Sequence, residues 1–156
     1  MKLIRTLGSA LILVGACSLG GCAAMRAAGA KHEYIEQKVQ SHTYDKPLSV
    51  VWPQARQLLF SEGFEVKDTD ASNAETEWKY EGSYRKRYLV SGIAVGKNKC
   101  QVQFTKSESQ KKSGGGWYDP DTARDLGLEW DLLKKVSPDR ASKIEAEAEA
   151  RGEKAK

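Results

Sequence analysis

Leu19-Gly20-Gly21-Cys22 sets small residues directly before a cysteine, a spacing that leaves room for the thiolate to be alkylated with diacylglycerol and then to become the first residue of a processed chain. Lys2 and Arg5 form a basic start. Leu7 to Leu19 is apolar but broken by Gly8, Gly15 and Ser18, which fits a cleaved signal peptide better than a spanning helix. Val14-Gly15-Ala16-Cys17 is a shorter version of the same pattern; Cys22 is preferred because Leu19 stands at the favoured position and the apolar run then has ordinary length. Acyl chains on Cys22 anchor the chain to a membrane, since each buried methylene is worth about 0.8 kcal/mol.

A second group of residues has the chemistry of recognition. Gly115-Gly116-Trp117-Tyr118 puts two large aromatics on a polar, glycine-rich stretch, Ser107 to Asp119, that reads as a mobile loop; Trp and Tyr are enriched at interfaces. Arg85-Lys86-Arg87, with Lys97, Lys99, Lys106, Lys111 and Lys112, concentrates positive charge on a hairpin and the loop after it. Arg85 and Arg87 are the candidates there for an acidic partner or anionic headgroups, and protection of a strand edge is the plainer use of the same charges.

Bond-making residues are harder to assemble. His32 and His42 are the only imidazoles, and read without a cysteine or a carboxylate at helical spacing they form no metal site. Glu75, Glu77 and Glu81 fall on one side of a strand and mark its wet face. No glycine-rich phosphate loop precedes a helix and no Gly-x-Ser-x-Gly elbow occurs. Cys100 alternates with Val102 and Phe104, as a small buried hydrophobe does, and after processing it is the only free thiol, so no internal disulfide is expected. The expectation is a protein without catalytic residues, metal or cofactor.

The elements that must carry these residues follow from periodicity. Ala23 to about Lys31 has the Ala- and Gly-rich composition of a tether, and Tyr34 to Tyr44 reads as a loose first strand. Ser49 caps a helix in which Val51, Ala55, Leu58 and Leu59 recur at helical spacing until Gly63. Phe64 and Val66 start a strand, and its partner, Ala74-Thr76-Trp78-Tyr80, alternates strictly with charged residues through Glu81. Tyr84 to Val95 and Lys99 to Phe104 flank a Gly96-Lys97-Asn98-Lys99 turn, with Gly92 as a candidate bulge. Asp119 and Pro120 open a helix with a stripe of Ala123, Leu126, Trp130, Leu133 and Val136, and Ser137-Pro138-Asp139 opens a last helix with Ile144 as its one large hydrophobe. Antiparallel connections throughout predict an α+β, two-layer domain, one sheet with helices packed on one face.

The 156 residues, net charge +4, allow one domain behind the signal. Residues 1–21 read as the lipoprotein signal peptide, 22–33 as tether, 34–152 as the folded domain and 153–156 as a tail. Removal of Lys2 and Arg5 lowers the charge to +2, too little for a nucleic-acid binder.

Val51-Trp52 opening a helix, Gly63-Phe64-x-Val66, Asp68 and Asp70 before Thr76-x-Trp78, Arg87 in the next strand, and Glu129 with Leu132-Leu133 before Pro138 and Ala141 together resemble the helix-grip domains of BamC, the NlpB family of outer-membrane assembly lipoproteins, over about Tyr44 to Ala150. The resemblance implies a helix-grip-like fold, no enzymatic activity and an accessory role in an outer-membrane complex. It differs in having one such domain where that family typically has two. The resulting expectation is a lipoprotein on the periplasmic face of the outer membrane, anchored through Cys22, acting as an interaction module for an envelope protein partner. A binder of a small apolar or lipid ligand, held between sheet and helix beneath Trp78, Tyr80 and Trp130, is the alternative.

Overall fold

The structure, a computed structural model, describes residues 19–155 and the side chains from Ala23 onward. Residues 1–18 of the expected signal peptide, and the side chain of Cys22, lie outside the described residues. The elements are α1 (Leu19–Gln40), α2 (Leu48–Ser61), β1 (Val66–Asp68), β2 (Asn73–Thr76), β3 (Lys79–Glu81), β4 (Tyr84–Gly96), β5 (Lys99–Gln110), β6 (Asp121–Arg124), α3 (Leu126–Val136) and α4 (Pro138–Lys154). The fold is α+β, as the periodicity predicted.

Strands β4 and β5 form the long hairpin at the centre, closed by the Gly96–Lys99 turn. All pairings are antiparallel, in the order β1-β2-β4-β5-β6, with β3 also paired to β4. Side chains alternate between faces along β4. Tyr88, Val90 and Gly92 are buried with Cys100, Val102 and Phe104 of β5, beneath α2 and α3. Glycine 92 is not the expected bulge. It pairs regularly with Val102, and a Cβ there would stand 2.7 Å from Leu48 Cδ1 and 3.2 Å from Trp52 Cε3, so the missing side chain makes room for α2 on the sheet. The register shift falls between Ala94 and Gly96.

Helix α2 buries Val51, Ala55 and Leu59, as its spacing required, but begins at Leu48 behind Pro47, with Ser49 inside it. Gly63 ends it in a left-handed conformation, φ +78°, which brings the Phe64 N–H onto Leu59 O at 3.0 Å.

Five expectations fail in instructive ways. Residues 22–33 are not a tether and 34–44 are not a strand: α1 runs through to Gln40, and only Tyr44 makes a strand-like bridge, to Cys100. Helix α1 buries Ala27, Tyr34 and Val39 and packs on α4, which contributes Ala141, Ile144, Ala148 and Gly152. Those small residues let two backbones approach, so a short list of apolar side chains suffices. At Gly152 a Cβ would meet Lys31 Cε at 2.4 Å. The helices on the covered face are therefore two deep, α2 and α3 on the sheet, α1 and α4 behind α3. The helical residues of α4 reach Lys154, past the expected tail boundary.

Asp119 and Pro120 do not open a helix. Residues 121–124 form the edge strand β6, Ala123 is exposed within it, and Asp125 caps α3, its Oδ1 accepting the Leu128 N–H at 3.0 Å. Glu129, one turn in, is buried and takes over where β6 stops. Its Oε1 accepts the Phe104 N–H at 3.1 Å, and Arg124 donates to both of its oxygens at 2.7 and 2.6 Å. Trp130 is only partly buried, so the buried stripe of α3 is Leu128, Glu129, Leu132, Leu133 and Val136.

Candidate functional site

Strand β4 presents Arg85, Arg87, Leu89 and Ile93 on the face that carries no helix, because they alternate with the buried set of Tyr88 and Val90. Tyr80 of β3 stands directly opposite Arg85. From the other side, the Ser107–Asp119 stretch reaches the same place. It is not a mobile loop: β5 continues to Gln110, Lys111 bridges back to Trp117, and Gly115 and Gly116, at φ +90° and +78°, turn the chain between them. Lys112 N–H donates to Gly116 O at 3.1 Å, Tyr118 N–H to Gln110 O at 2.9 Å, and Ser109 Oγ to Tyr118 O at 2.6 Å. Trp117 is thus fixed over the sheet.

The outcome is a stacked cluster. The Arg85 guanidinium lies between two indoles, its Cζ 4.3 Å from the Trp78 ring centre and 4.7 Å from that of Trp117. Arg87 covers Trp78 as well, at 4.8 Å, and Tyr80 meets Trp117 at 5.5 Å, 60° between planes. Each cation over a ring is worth roughly 0.5–2 kcal/mol according to its desolvation. Arg85 Nε is buried without a hydrogen-bond partner, and no carboxylate lies within ion-pair distance of Arg85 or Arg87 among the described residues. The guanidinium is oriented by the rings and left electrically unmatched.

Around this cluster the face is partly apolar. Leu89 is 45% and Ile93 46% exposed, and Tyr118 is 55% exposed with Lys112 Nζ 5.3 Å over its ring. The structure therefore joins Trp78 and Trp117 through Arg85, with Arg87 on Trp78, while Tyr118, the neighbour of Trp117 in the chain, meets Lys112 instead. The lysines expected to share in this basic region do not all do so: Lys86 pairs with Glu81 and Lys106 with Glu108, both at 3.2 Å, and Lys99 pairs with Asp45 at 3.2 Å. Trp78 was legible as a strand residue but not as the platform. The strand is interrupted at Glu77 and Trp78, between β2 and β3, which frees the indole to turn under the guanidiniums.

Other sequence-singled residues have plain roles. Cys100 is buried, and burial pushes its thiol up from the ordinary range, which makes it a poor nucleophile. Glu75, Glu77 and Glu81 are exposed, and Glu77 pairs with Lys67. His32, contrary to the sequence reading, does have a carboxylate at helical spacing: its Nε2 lies 3.2 Å from Glu36 on the surface of α1. Trp78 and Tyr80 belong to the open side of the sheet and Trp130 to a helix on the other, so these three cannot enclose one ligand. Among the described residues no cluster of His, Cys, Asp and Glu has metal-site geometry, and no helix is long and apolar enough to cross a membrane. Compared with protein-family models, with curated proteins and with solved structures, the chain matches none.

Proposed function

We propose that this chain is a lipoprotein held at the periplasmic face of the outer membrane through Cys22, and that its domain is a non-catalytic interaction module accessory to an envelope assembly. The occupant proposed for the open sheet face is an acidic segment of an envelope protein. The observation that carries this is Arg85: a guanidinium held between Trp78 and Trp117, with no carboxylate in ion-pair contact, is prepared for one from a partner. Leu89 and Ile93, exposed on the same face of β4, supply the apolar surface such an interface uses. The resemblance to outer-membrane assembly lipoproteins supports the same compartment and the absence of catalysis. Because α1 continues to Gln40 in one helix, the domain would follow its anchor directly and not swing on a leash, which favours a partner close to the bilayer.

The test is capture from intact envelopes after crosslinking. Arg85→Gln with Arg87→Gln should reduce capture about tenfold, the loss of 1.4 kcal/mol or more, with an unchanged unfolding midpoint. Cys22→Ala should release the protein from the membrane fraction. Undiminished capture by the double arginine variant would contradict the assignment of the surface, and an intact lipidated peptide in Cys22→Ala would move the anchor to Cys17.

A further inference from the structure

Where α1 ends and α4 begins, on the helical side of the sheet, the chain leaves a cleft of about 400 Å³. Lys38, His42, Lys46 and Arg140 line it, with Ser137 at the start of α4 and Asp45 as its one carboxylate. Asp45 is already engaged, 3.2 Å from Lys99. Lys46 is held by donating to Val136 O at 2.7 Å, and Lys38 by its place 5.2 Å over the Tyr34 ring. No carboxylate lies within ion-pair distance of Lys38, Lys46 or Arg140 among the described residues. Glu147 of α4, outside the lining, also feels Lys143, Lys38 and Arg140, but its carboxylate accepts the Tyr34 hydroxyl. His42 completes the set: its ring stands edge-on to Tyr44 at 4.5 Å, and its Nε2 is buried without a partner.

We propose that this cleft binds a small oxyanion of the phosphate class, held by Arg140, Lys38 and Lys46 and hydrogen-bonded to His42. Three cations and an imidazole arriving from the end of α1, the following segment and α4 suit a ligand with three or four acceptor oxygens, where a carboxylate offers two. The same reasoning explains an otherwise unfavourable arrangement. Burial first, and then the charge of Arg140, pull the His42 pKa below its ordinary value, against a smaller opposite pull from Asp45. A bound dianion reverses that balance and stabilises the imidazolium.

The experiment follows the His42 ring by NMR in the full chain, in nonionic detergent at constant ionic strength, with inorganic phosphate as the probe. Saturable phosphate binding should shift the His42 ring and raise its pKa, while His32, exposed and paired with Glu36, stays put. Arg140→Gln should weaken the response about tenfold, and Asp45→Asn should strengthen it; neither side chain is buried, so a matching unfolding midpoint separates lost binding from lost fold. Phosphatidylglycerol added to the detergent micelles that competes with phosphate, where phosphatidylcholine does not, would identify a lipid headgroup as the source. No competition from either would identify free phosphate. A His42 ring that shows no saturable change, or a response that Arg140→Gln leaves intact, overturns the proposal.

Discussion

The two faces of strand β4 carry opposite chemistry at a spacing of one residue. Tyr88 and Val90 face the helices, and both donors of Tyr88 are engaged: its N–H donates to Thr76 Oγ1 at 2.9 Å and its hydroxyl to Asp125 Oδ2 at 2.9 Å. Arg85 and Arg87 face away, stacked on indoles and with no carboxylate in ion-pair contact. The same strand thus finishes its bonding on one side and leaves it open on the other. Stability accrues where donors and acceptors close on each other, and recognition is available where they do not. The comparison teaches that the informative charges of this protein are the few whose side chains are fixed but unmatched, and that the many paired lysines are not informative.

Breaking the closed face should have the largest effect. Phe104 is fully buried at the centre of the sheet, and Phe104→Ala should cost about 3–5 kcal/mol in chemical denaturation. Glu129→Gln should cost about 3 kcal/mol, because Arg124 loses a charge partner in a part-buried setting where breaking one member of a pair is expensive. A Glu129→Gln midpoint equal to the parent would show that Glu129 adds nothing to the β5–α3 junction. On the open face the losses should be small. Trp117→Ala removes stacking on Arg85 and Tyr80 and should cost about 1 kcal/mol. A cost several times larger would mean that Trp117 closes the fold and is not part of an open surface.

His42 has a depressed pKa, so near and below its ordinary value of 6.5 the unfolded chain binds more protons than the folded one. Stability should therefore fall as pH drops through about 6.5, an effect that His42→Asn removes and that denaturation midpoints at a series of pH values can follow.

The sequence made the closed face legible and the open face only partly so. Alternation in β4 and β5 and the helical spacing of Val51, Ala55 and Leu59 are burial signals, and burial is what a binary pattern records. Helix α1 escaped because much of its contact with α4 is made by Ala27, Ala141, Ala148 and Gly152, residues too small to draw an apolar stripe, which left Tyr34 and Val39 to read as a loose strand. Edge strand β6 escaped because Asp119-Pro120 imitates a helix start, whereas the cap in use is Asp125. The residue types of the candidate surface were visible in Arg85, Arg87, Trp117 and Tyr118. What joined them was not, since the Trp78 platform arises from a break between β2 and β3 that strict alternation from Ala74 to Glu81 concealed.

Site-directed photocrosslinking in intact envelopes tests the central claim most directly, by placing a photoreactive residue once at Tyr80 and once at Phe60. Both are exposed, 61% and 74%, and they lie on opposite sides of the domain, Tyr80 beside Arg85 on the open face and Phe60 on α2. Position 80 should give a discrete protein adduct, lost in the Arg85→Gln background, and position 60 none. An adduct from position 60 alone, or one from position 80 indifferent to Arg85, would place recognition elsewhere and contradict that claim.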